Sequence, residues 1–98
     1  MKNQPVTEVQ IVPVKPNNGL VAFCSFVLYE AIYCSSVAIF TRPNGNYRLV
    51  YPTKRVGAKD INIFHPIGRD IGIRIEQEIC NKLKEVMNHD RYCINHAP

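Results

Sequence analysis

Two apolar runs, Leu20–Tyr29 and Ile32–Thr41, lie only two residues apart and limit the fold more than any other part of the chain. Both are rich in Val, Ile, Phe, Tyr and Cys, and in both the alternate positions are largely apolar on either side. A strand with one face in water alternates apolar and polar residues, whereas strands of this kind need cover on both faces. The combined stretch approaches the length of a membrane span, but Glu30 sits near its middle with Ser25, Ser35 and Ser36 around it, a pattern that a bilayer core penalises. Two buried strands joined at a turn are therefore predicted, with no membrane partner.

The flanking segments fill in the rest of a sheet. Val6–Val14 is β-branched and extended in character, and Pro13, which has no N–H to give to a ladder, places this strand at an edge or ends it nearby. Lys15-Pro16-Asn17-Asn18-Gly19 reads as a turn. Arg42-Pro43-Asn44-Gly45-Asn46 is a strong hairpin signal, because Asn-Gly accepts the positive φ of a tight turn. Tyr47–Tyr51 then returns, with Tyr47, Leu49 and Tyr51 alternating against Arg48 and Val50 until Pro52. From Pro52 to Pro66 the chain reads as irregular or briefly extended. Helical periodicity follows: Ile71, Ile75, Ile79, Leu83 and Val86 or Met87 recur at three- and four-residue steps, with Arg74, Glu78, Lys82 and Glu85 on other faces. Asp70 is the expected N-cap. Asn88–Pro98 has no clear period and reads as a fraying tail.

These elements amount to an α+β fold, an antiparallel sheet of about four strands followed by one amphipathic helix. A chain of 98 residues has room for a single core, here about residues 6–87. One helix covers one face of the sheet, so a homodimer through the sheet is expected to cover the other.

Charge narrows the function. The chain carries +4 overall, and from Arg42 to Arg74 seven basic residues stand against two acids, a surplus of five that exceeds the whole excess. A basic stretch of this kind suits a polyanion. Lys54 and Arg55 follow a strand and precede a glycine-containing loop, where exposed cations meet phosphates without a burial cost. Arg48, Lys59, Arg69 and Arg74 extend the patch. Tyr47 and Tyr51 interleave with these cations as base-stacking residues do, although their alternation with Leu49 favours packing.

Other chemistry finds little footing. The four cysteines follow no signal peptide, which points to reduced thiols in the cytoplasm, with Cys24 and Cys34 as small buried hydrophobes. His65-Pro66 fits an extended turn entering the helix better than a catalytic site. Cys80, His89, Cys93 and His96 match no common zinc spacing. No nucleophile, base and orienting group come together, so no enzyme, cofactor, metal or small-molecule substrate is expected.

Pro52-Thr53-Lys54-Arg55 after a strand, then Asp60-Ile61, then His65-Pro66-Ile67 leading into an amphipathic helix, resembles the stage V sporulation protein G (septation protein) family. That family shows Pro-Ser-Lys-Arg, Asp-Ile and His-Pro-Ile in the same order. The similarity reaches back through Val6-Thr7-Glu8-Val9 and covers about residues 6–87. It implies a small cytoplasmic bacterial α+β protein, dimeric through its sheets, that binds DNA or RNA and regulates septation and sporulation-type processes without enzymatic activity or cofactor. The chain departs from the family in its first strand, where Val9-Gln10-Ile11-Val12-Pro13-Val14 stands in place of arginines. Its central strands hold Cys, Ser and Tyr where the family has charges, and the loop Val56-Gly57-Ala58-Lys59 is shortened. These departures motivate an alternative, a protein-interaction or assembly module of the same fold.

Overall fold

The computed structural model describes residues 4–96, with side chains as far as Met87. Four strands, β1 (Val6–Asn17), β2 (Leu20–Leu28), β3 (Ile32–Thr41) and β4 (Tyr47–Val50), form one antiparallel sheet in the order β1-β2-β3-β4. A separate two-stranded hairpin follows, β5 (Thr53–Val56) and β6 (Lys59–Asn62), and then the helix α1 (Arg69–His96). The α+β architecture is the one expected.

The core lies between the sheet and α1. Ala22, Cys24 and Phe26 from alternate positions of β2 meet Cys34, Val37 and Ile39 of β3 and Ile75, Ile79 and Leu83 of α1, all buried. Ile71 and Met87 continue the helix stripe at its edges. No charged side chain is buried among the described residues. Among the described residues no helix covers the opposite face of the sheet. There the register aligns Val12, Phe23, Ala38 and Val50, one residue from each strand, in an apolar row.

The turns differ from expectation in instructive ways. β1 does not end near Pro13 but runs on to Asn17; it is the edge strand, which tolerates Pro13 opposite Ala22, and the register shifts just beyond. The first turn is therefore only Asn18 and Gly19, with φ of 53° and 93°, a type I′ pair. At the second Asn-Gly only Gly45 is left-handed, at 89°. Its N–H donates to the Arg42 carbonyl at 2.9 Å, and the Arg42 N–H donates to the Asn46 carbonyl at 2.7 Å. This is a type I turn closed by a glycine bulge. Pro43 dictates it, because its φ is fixed near about −65° and cannot enter a primed turn.

Between β2 and β3 the type I′ turn has no glycine at all: Tyr29 and Glu30 take φ of 52° and 56°. Each costs about 1–2 kcal/mol. Two bulges, with Glu8 at 52° in β1 and Ser36 at 64° in β3, flank Phe26 and Ser25 on β2 from either side. Bulges bend a sheet and sharpen its twist, and here both act at one level of the central strand.

Residues 53–62 take the extended of the two readings open for 52–66, as two paired four-residue strands. They form a hairpin closed by Gly57, with φ of 63°, and Ala58; glycine at the first central position is the mark of a type II′ turn. Every residue of β5 and β6 is exposed. At the helix start, the Gly72 N–H donates to the Gly68 carbonyl at 3.0 Å, so Gly68 is the N-cap. Asp70 lies instead within the first turn, where its charge still complements the dipole. The backbone of α1 continues past Met87 to His96, through a stretch with neither Gly nor Pro to stop it.

Candidate nucleic-acid interface

A strand's two-residue period separates the cations of the hairpin. Lys54 pairs with Ile61 and Val56 with Lys59 in the register, so these four share one face. Lys54 and Lys59 are diagonal neighbours on it, about 7–8 Å apart by ordinary sheet geometry. Neither makes a hydrogen bond or ion pair with another described residue. Arg55 occupies the opposite face, directly across from Asp60. Its Nη1 lies 3.4 Å from the Asp60 carboxylate and its Nε donates to the Gly57 carbonyl at 3.3 Å. Both side chains are more than half exposed, so the pair contributes about 0–1 kcal/mol.

The other three sequence-selected cations stand elsewhere. Arg48 is on the helix-free face of β4, its guanidinium 5.4 Å from the centroid of Phe40 across the ladder. Arg69 opens α1 and is exposed. Arg74 is occupied: its Nη2 donates to Gln4 Oε1 at 3.0 Å and its Nε lies 3.6 Å from the Glu78 carboxylate. That separation leaves the buried Nε without a hydrogen bond to any described residue, and the residue ties the helix to the segment before β1. Lys54 and Lys59 are thus gathered on one face, while Arg55, Arg48 and Arg74 each already hold a partner.

Tyr47 and Tyr51 pack against the core. The Tyr51 ring meets Phe64 edge-on, at 5.9 Å and 78°. Its hydroxyl is buried without a hydrogen-bond partner among the described residues. Burial, then Cys24, Glu76 and Cys34 nearby, push its pKa up to about 12. Cys24, Cys34 and Cys80 are free thiols, and burial raises the pKa of all three. His65 places Nδ1 3.3 Å from the Pro66 carbonyl at the entry to the helix. No three His, Cys, Asp or Glu side chains converge on a metal-sized site among the described residues; the side chains of His89, Cys93 and His96 lie outside them. No described helix is long and apolar enough to cross a membrane.

A polar cleft of about 370 Å³ between the β3–β4 loop and α1 escaped the sequence reading. It draws on Asn44, Asn46, Gln77 and Asn81, with Arg42 and Lys84 beside them. Gln77, Asn81 and Lys84 are spaced i, i+4 and i+7, a helical stripe that was visible; their meeting with a loop more than thirty residues earlier was not. Compared with known proteins, the chain matches no family model and no curated relative.

Proposed function

We propose that this chain is a non-enzymatic nucleic-acid-binding regulator, a divergent member of the stage V sporulation protein G family, acting as a cytoplasmic homodimer without a cofactor. Phosphates are met by the hairpin face that carries Lys54 and Lys59. The observation that carries this reading is that face itself: two exposed ammonium groups, free of partners among the described residues, on an element with no buried residue. Such cations exchange water and counterions for phosphate at little desolvation cost. Arg55 joins by giving up a weak exposed ion pair. Arg48 and Arg69 lend longer-range attraction, and Arg74 contributes least, because it is held by Gln4 and Glu78.

The test is binding to labelled single-stranded DNA, duplex DNA and RNA across a salt series, with wild type beside Lys54→Ala/Lys59→Ala. The expected result is a steep fall of affinity with salt, and a log–log slope shallower by about 2 per protomer in the variant, one for each phosphate that the missing ammonium groups no longer neutralise. An unchanged slope, or no binding at about 50 mM salt, overturns the reading.

Val56 and Ile61, each 50% exposed on the same face as the lysines, favour a second reading, a protein-interaction module. An absence of nucleic-acid binding combined with capture of an acidic, apolar peptide on this face would select it.

A further inference from the structure

The cleft between the β3–β4 loop and α1 has the chemistry of a base-reading pocket. The loop side is rigidly built: Pro43 fixes the type I turn, and Asn44 Oδ1 accepts the Asn46 N–H at 3.0 Å. The helix side offers Gln77 and Asn81, one turn apart and exposed. The carboxamides of Asn46, Gln77 and Asn81 hydrogen-bond to no described residue. Each holds donors and an acceptor side by side, the combination that nucleobase edges present.

Charge and size specify the rest of the ligand. Arg42 uses its Nε on the Tyr47 carbonyl at 3.4 Å, its terminal nitrogens bond to no other described residue, and Lys84 lies on the opposite wall. With Glu76 in the lining the site carries a net charge of +1, which favours an anion. Glu76 also provides an acceptor for an exocyclic amine, and Tyr47 is among the lining residues, an aromatic residue of the kind on which a base can stack. At about 370 Å³ the cleft sits at the lower end of small-molecule sites, which run to about 300–1,000 Å³. It has room for one nucleotide.

We infer that this cleft takes a single unpaired nucleotide of a bound strand, its base among the carboxamides and its phosphate between Arg42 and Lys84. The inference rests on the nucleic-acid reading above and deepens it: a base held here has left its stack, so single strands are preferred over duplex.

The test compares wild type, Gln77→Ala/Asn81→Ala and, from the other wall, Asn46→Ala on one single-stranded oligonucleotide and on its duplex. Alanine at the exposed helix positions preserves α1, and circular dichroism verifies it. A drop of about tenfold in single-strand affinity in both variants, with duplex affinity unchanged, is the expected result, since each hydrogen-bonding edge removed leaves a base group unpaired. Wild-type binding that neither variant weakens, or equal wild-type affinity for strand and duplex, overturns the inference while the hairpin reading stands. If wild type binds neither, both fall.

Discussion

The Cys24 thiol lies beneath α1 at 3% exposure. Burial, reinforced by Cys80, raises its pKa from 9.0 to about 12. Tyr51 moves from 10.0 to about 12, chiefly through burial. Both groups stay protonated in the fold while the unfolded chain ionises at the ordinary values. Above pH 9 the unfolded state therefore binds fewer protons than the native state, and stability falls as pH rises, by up to about 1.4 kcal/mol per unit for each such group. The contribution is fully present below pH 9. Denaturant midpoints across pH 7–11 should be flat and then decline, and Cys24→Ala should make the decline between pH 9 and 10 shallower. An equally steep decline in that variant would remove Cys24 as its cause.

At the scale of the element, two glycines make opposite demands. Gly72 sits in the first turn of α1, and an added Cβ would meet only Pro66, at 3.6 and 3.8 Å, ordinary contact distances. Gly72→Ala should therefore stabilise the protein by about 0.5–1 kcal/mol, a rise of a few degrees in thermal melting. Gly19 has similar space but a φ of +93°, so Gly19→Ala should destabilise by about 1–2 kcal/mol. Melts of both variants that shift the same way would contradict this division. The same elements mark how far the sequence could be read. β2, β3 and α1 were legible because their apolar residues are the core, and burial imposes a period. The hairpin was legible only as a briefly extended alternative, because Thr53, Lys54, Arg55 and Val56 bury nothing and so carry no such period. The two Asn-Gly pairs look identical along the chain, yet the residue ahead of the second, Pro43, selects a different turn. Lys54 and Arg55 are neighbours in sequence and face opposite ways, a separation that follows directly once they are known to lie on a strand. The carboxamide cleft needed two distant segments to be brought together, and local pattern carries no trace of that.

For the whole molecule, the uneven cover of the sheet is the main fact. α1 shields one face; the other presents the row Val12, Phe23, Ala38 and Val50, with Val12 61% and Phe23 38% exposed. A domain of this size gains from covering such a row, and a second copy offers the same row to it about a two-fold axis. The proposed homodimer predicts that sedimentation at micromolar concentration gives twice the chain mass, and that Phe23→Lys/Val12→Lys gives a folded monomer. Ile67, 93% exposed at the helix entry, is the control: if Ile67→Lys dissociates the pair and the row variant does not, the two copies meet at that end and not through the sheet. The hairpin bears on a different kind of question, how such a chain changes over generations. Because the core closes without any side chain from residues 53–62, substitutions of exposed side chains there should cost the fold little. The proposed phosphate-facing surface is therefore one that side-chain changes can retune without disturbing the sheet and helix that carry it.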